Sequence, residues 1–295
     1  MTATTTRFDQ KGRGDVVTSY AAAPTRTVSV DGVDFAYREL GPTTGIPVVF
    51  LTHLAAVLDN WDPRVVDGIA AQHHVIAFDN RGVGASGGST PKTIEAMAHD
   101  AVAFIWALGF EQVDLLGFSM GGMIAQLIAA DHPRLVRKVI LAGTGPAGGD
   151  GITKVTRLSH FDTLRGLLTL QDPKQFLFFT RTPAGRRAGK DFLARLKERT
   201  PNRDKRISLR SYGAQLKAIH RWGQQTPADL SVIHQPVLVA NGESDRMVPT
   251  SNSRDLAQRL PNAQLVIYPD AGHGGIFQFH QQFVERALAF LGGNP

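Results

Sequence analysis

At 295 residues, with 42% hydrophobic and 20% charged side chains, the chain has the make-up of a globular protein that can bury one large core, with or without an insert. It has no cysteine, which excludes disulfides, thiolate nucleophiles and zinc–thiolate sites. The net charge of +6 is uneven: residues 181–221 hold thirteen Lys/Arg against three Asp/Glu, a local +10 that leaves −4 for the remainder. Few aromatics accompany that block (Phe192, Tyr212 and Trp222), so it is read as a solvated helical face rather than a surface for nucleic acid, with steering of anionic substrates left open. No apolar run is long enough to span a bilayer, and MTATTTRFDQKGRGDVV lacks the apolar centre of a secretory signal. The expectation is a cytoplasmic protein with no membrane or nucleic-acid partner. Oligomeric state is not legible.

Residues 1–24 are polar and without period, and are expected to form a flexible arm. Arg26–Val30 and Val33–Glu39 alternate across Asp31-Gly32, a hairpin signal. Short apolar runs follow at Pro47–Leu51, His74–Asp79, Val113–Gly117, Val136–Ala142, Pro236–Ala240 and Ala263–Tyr268, each suited to a strand buried on both faces. Helical spacing lies between them, clearest in Ile94–Leu108 and also in Gly121–Ala130 and Phe283–Leu291. This alternation predicts an α/β fold with a mostly parallel, eight-stranded sheet covered on both faces. It fails over 144–225, which is helical, apolar in its first half and basic in its second. That stretch is predicted to be an inserted helical cap on a core formed by 25–143 and 226–295.

Gly117-Phe-Ser119-Met-Gly121 lies between the strand VDLLG and a helical segment, the context of a nucleophile elbow. A serine there needs a base, and His273, in the loop after the last predicted strand, is the candidate. The histidine needs a carboxylate, for which Asp245, just after PVLVA, is favoured over its neighbour Glu243. All three fall at carboxyl ends of strands, in the order Ser, Asp, His.

With DNRGVGAS (79–86), GFSMGG (117–122), GESDRMVP (242–249) and DAGHG (270–274), the chain from about Thr25 to Gly292 resembles the α/β-hydrolase superfamily, in the branch of bacterial serine esterases, cofactor-free haloperoxidase-perhydrolases and enol-lactonases. The resemblance implies the α/β-hydrolase fold, the triad Ser119, His273 and Asp245, a helical cap, and chemistry without metal or organic cofactor. It also implies an oxyanion hole from backbone N–H groups of Met120 and Ala55. Here the sequence departs from the family, which has glycine where this chain has Leu54, so Leu54 is an alternative donor.

His53, Trp61, Leu164, Leu168, Phe178 and Phe179 are candidate pocket residues, and Asp59 or Asn60 the expected cap of the next helix. The activity implied is cleavage of a small-molecule carboxylic ester or lactone, with an apolar acyl or aromatic group, through an acyl-enzyme. C–C bond hydrolysis, peroxide chemistry on the same triad, and a slowly turning ligand receptor are the alternatives.

Overall fold

The computed structural model describes residues 19–293. Its strands are β1 (Arg26–Val30), β2 (Val33–Leu40), β3 (Val48–Leu51), β4 (Val75–Phe78), β5 (Val113–Phe118), β6 (Val136–Ala142), β7 (Val237–Gly242) and β8 (Ala263–Tyr268). They form one eight-stranded sheet in the order β1-β2-β4-β3-β5-β6-β7-β8. The β1–β2 and β2–β4 pairs are antiparallel, and the pairs from β4 to β8 are parallel. Asp31 and Gly32 both take positive φ (49° and 77°), as the tight turn of the opening hairpin requires.

Between the strands run α1 (Pro63–Ala70), α2 (Ile94–Ala107), α3 (Met120–Asp131), α4 (Val155–Thr169), α5 (Lys174–Leu177), α6 (Pro183–Arg195), α7 (Leu209–Gln224), α8 (Thr250–Arg259), α9 (Gly275–Gln278) and α10 (His280–Gly292). Their starts follow local chemistry. Asp62 accepts the Arg64 N–H ahead of Pro63, and Thr93, Thr182 and Ser208 cap α2, α6 and α7 in the same way. The cap of α1 is therefore Asp62. Asn60 instead accepts the Val57 N–H at 2.9 Å, and Asp59 is drawn into an ion pair described below. Among the described residues no helix is long and apolar enough to cross a membrane.

β3, β4 and β5 are buried along their whole length, which is why β3 and β4 read as unbroken apolar runs and β5 departs from one only at Asp114, which is paired with Arg137. The chain order reverses around β3, which lies between β4 and β5. Loops leaving β3 and β5 therefore diverge at a switch point, where open α/β sheets place their ligands.

Four helices, α4 to α7, occupy the interval between β6 and β7. Among the contacts that hold this segment to the main layers, two sets flank the region beyond the strands' carboxyl ends. Arg38 of β2, wholly buried, pairs with Asp59 at 2.8 Å and with Asp204, between α6 and α7, at 2.9 Å. On the other side, the Gly274 N–H donates to the carbonyl of Phe178 at 2.8 Å, and the hydroxyls of Thr180 and Thr182 donate to Asp270. Phe178, Phe192 and Phe277 stack between the two, each worth about 2 kcal/mol of apolar burial.

Two expectations need correction. Of the flexible arm, residues 1–18 lie outside the described residues, but 19–24 are fixed. Tyr20 is buried and donates its hydroxyl to the Leu58 carbonyl at 2.9 Å, while Arg199 donates to the carbonyls of Ala21 and Ala23. A low-hydropathy segment can be ordered when its own backbone is the acceptor. For the same reason the basic block is not uniformly solvated: Arg199 is buried, and Arg195 pairs with the buried Asp62 at 2.6 Å.

Candidate active site

Ser119 sits at the turn from β5 into α3 with φ 57° and ψ −116°, a conformation a non-glycine residue holds only where its surroundings demand it. Two contacts supply the demand. The Ser119 N–H donates to the Ala142 carbonyl at 2.8 Å, and its own carbonyl accepts from Gly122. The glycines on either side permit the crossing. A Cβ on Gly121 would stand 1.9 Å from the Leu51 carbonyl oxygen, and one on Gly117 would stand 2.4 Å from that of Gly121. Met120 opens α3, so its N–H has no carbonyl one turn back and points out of the helix end.

His273 follows β8 and Asp245 follows β7, the neighbouring strand. His273 Nδ1 is 2.8 Å from Asp245 Oδ2, with both side chains essentially inaccessible to water. The second carboxylate oxygen of Asp245 accepts the N–H groups of Met247 and Val248, at 2.8 and 3.0 Å. The carboxylate is thus held at both ends and Nε2 of His273 is left for a proton from elsewhere. Glu243 is exposed to solvent. Ser119 and His273 line one cleft of about 150 Å³ with His53, Leu177, Phe178 and Met247 among its walls. Phe118 and Phe178 press on the His273 ring, with centroids 5.0 and 5.4 Å away. Ser119 Oγ makes no hydrogen bond to a described residue; His273 and His53 are the two histidines that line the same cleft.

The segment after β3 carries a second strained residue. Ala55 has φ 63°, and its N–H donates to Oε1 of the buried Gln215 on α7, at 2.8 Å. Ala55 is therefore not a free donor; the alternative, Leu54, lines the cleft beside it, and no described residue accepts its N–H. His53 gives Nδ1 to the Leu54 carbonyl at 2.8 Å, and burial pushes its imidazole down to about 3, so the ring is neutral. Its Nε2 has no partner among the described residues.

Other expected pocket residues lie elsewhere. Leu164 and Leu168 are 55% and 75% exposed. α4 turns its other side inward because Asp162 pairs with Arg246 at 2.9 Å, Ser159 bonds the Tyr212 hydroxyl at 2.7 Å, and Gly166 is packed against Pro173. Polar and small residues thus face the protein, and the leucines face outward. Trp61 is buried edge-on to Phe50, 4.9 Å between centroids, in the main core. Phe179 is buried against Phe192 and is not on the cleft wall, whereas Phe178 is. Residues that sequence reasoning did not reach include Lys174, Tyr212, Met247 and Gln215. Only Met247, within GESDRMVP, lay in a motif.

Comparison with known proteins gives a consistent picture. A family model described as the alpha/beta hydrolase fold matches residues 46–279. A non-heme chloroperoxidase of Streptomyces lividans is 28% identical over 279 residues, spanning 88% of this chain and 97% of its own. An α/β-hydrolase fold protein from Chitinophaga pinensis superposes with a TM-score of 0.89 at 40% identity, covering 93% of this chain and 99% of its own. Est816, described as an N-acyl homoserine lactone degrading enzyme, does so with a TM-score of 0.72 at 25% identity, over 90% and 100%.

Proposed function

The chain belongs to the α/β-hydrolase fold family, and on that premise we propose that it hydrolyses a carboxylic ester or lactone through an acyl-enzyme on Ser119. One observation carries the reading: a serine held at positive φ at a strand–helix turn shares a buried cleft with a histidine whose far nitrogen is fixed by a fully bonded carboxylate. Ser119 Oγ attacks the carbonyl carbon while His273 Nε2 takes its proton. Asp245 fixes the tautomer and steadies the imidazolium that forms. The oxyanion receives the N–H groups of Met120 and Leu54, since the Ala55 N–H is given to Gln215. His273 then protonates the leaving oxygen, and water, deprotonated by the same ring, releases the acid. A lactone keeps both products on one molecule.

The cleft, at about 150 Å³, is far smaller than the usual size of a ligand pocket, roughly 300–1,000 Å³, so the acyl portion within it is short. The helical segment between β6 and β7 acts as the cap that closes it. The name of Est816 supports a lactone among the substrates to be tried.

The test is a panel of p-nitrophenyl esters and lactones with Ser119→Ala as control. Ser119→Ala should lose activity by several orders of magnitude and resist labelling by a fluorophosphonate. A label found by mass spectrometry on another serine would sink the proposal.

A further inference from the structure

Beside the catalytic cleft lies a larger cavity of about 940 Å³, and the two share Ala55, Thr163, Asp172, Pro173 and Lys174 in their walls. Part of the basic block of the sequence, four of its thirteen cations, lines this vestibule together with Lys174. Lys174, Lys190, Lys197, Arg203 and Arg206 line it, against three aspartates.

The aspartates are already engaged. Asp59 and Asp204 both pair with Arg38 and exchange backbone N–H bonds with each other at 2.9 Å, their side chains almost wholly buried. Asp172 lies 3.5 Å from the Lys174 ammonium and accepts that residue's N–H. The cations are less committed. Among the described residues Lys190, Lys197 and Arg206 have no carboxylate within ion-pair reach, and Arg203 is 3.6 Å from Asp59. Behind the aspartates stand two further buried guanidiniums, Arg38 and Arg199. A concave surface with one sign of charge in excess and low-dielectric walls concentrates ions of the other sign. No aromatic side chain lines the vestibule to stack a base, which favours a small anion over nucleic acid. The inner cleft is too small for more than a short acyl group, so the remainder of a longer substrate extends past Lys174, at the junction.

We propose that the vestibule is a binding subsite for an anionic group at the end of the substrate remote from the scissile carbonyl, with Lys174 and Lys197 as its principal contacts. The substrates are then esters or lactones bearing a carboxylate or a phosphate, and the proposal rests on the serine-hydrolase reading above. A lysine ammonium is a compact point charge that takes either anion, so the ligand's own geometry decides between them.

Three probes of matched length test it: mono-p-nitrophenyl adipate, its methyl ester, and p-nitrophenyl 6-phosphonooxyhexanoate. At low ionic strength at least one charged ester should show kcat/KM about tenfold above the neutral one, the lower end of what a focused field provides. Which of the two gains more identifies the anion. The advantage should shrink as salt shortens the range of the field, and the ratio should approach one in the double variant K174Q/K197Q. A ratio at or below one for both charged esters in the unaltered protein overturns the proposal. So does a preference that survives both salt and the double substitution. If none of the three esters is hydrolysed, the hydrolase reading fails. The subsite is then judged by calorimetric binding of monomethyl adipate and of 6-phosphonooxyhexanoate: affinity for either that is lost in K174Q/K197Q sustains it, and no binding of either rejects it.

Discussion

Gln215→Leu isolates the contact between the cap and the proposed oxyanion segment. Gln215 is wholly buried, and its Oε1 is the acceptor for the Ala55 N–H at 2.8 Å. Leucine removes the acceptor at nearly equal volume and leaves that N–H without a partner, at about 1–3 kcal/mol. Ala55 also holds φ 63°, a conformation that costs a non-glycine residue about 1–3 kcal/mol and persists only under restraint. With the restraint gone, both terms favour rotation of the Leu54–Ala55 peptide, which carries the neighbouring donor off its line to the oxyanion. Deleting one such donor outright lowers kcat by about 10²–10³. Displacing it should lower kcat by about 10- to 100-fold, with KM changed by about twofold or less, because the interaction is made in the transition state. Steady-state kinetics on p-nitrophenyl acetate, with thermal melting to show that the variant is folded, supplies the measurement. Gln215→Glu keeps an oxygen acceptor at the same reach and should recover most of kcat. A folded Gln215→Leu protein with unaltered kcat would refute the reasoning, and the first oxyanion donor would have to be sought elsewhere than after β3.

The remaining expectations concern the carboxylates. Asp245→Asn should lower kcat by about 10⁴, because an amide presents the wrong partner to His273 Nδ1, while Glu243→Gln, at an exposed position, should stay within about twofold; a reversed ranking in the same assay would move the acid to Glu243. Asp79 accepts the N–H groups of Leu58 and Ala85, and burial pushes its carboxyl up to about 7, from an unfolded value near 3.8. The folded state therefore binds the proton more tightly. The stability this lends is full below about pH 4 and lost as pH rises through about 7. Asp79→Asn, which cannot ionise, should accordingly gain in melting temperature on the unaltered protein between about pH 5 and about pH 8.5, and a difference that stays flat over that range would show that Asp79 does not titrate there.

Legibility in the sequence followed the range of the forces involved. The sheet was readable because a strand buried on both faces is apolar almost throughout, as VVFL and VIAF are wholly and VDLLGF is apart from Asp114, whose carboxylate is paired with Arg137. Ser119, Met247 and His273, which meet in the cleft, stand in short motifs, because a sharp turn after a strand restricts residues only two or three apart. The inner surface of the cap obeyed no such local rule. The leucines of α4 have helical spacing, but which side faces inward was decided by Arg246, Tyr212 and Pro173, all distant in sequence or across a turn. Gln215 and Lys174 gave no signal of their own, since one buried amide and one lysine at a junction acquire meaning only from what the fold sets beside them. Tyr20 was misjudged for a similar reason: its partners, Leu58 and Asp67, are about forty residues away.

The ion cluster around Arg38 bears on how often the helical segment between β6 and β7 lifts from the main layers. Arg38 on β2 reaches Asp59 in the loop after β3 and Asp204 between α6 and α7. Any movement that lifts that connection away strips partners from a buried charge, at about 3–5 kcal/mol. At equilibrium such a conformer would account for roughly one molecule in a few hundred or fewer. On the proposed reading, substrate and product would then pass mainly through the opening present in the resting form, where the vestibule adjoins the cleft at Lys174.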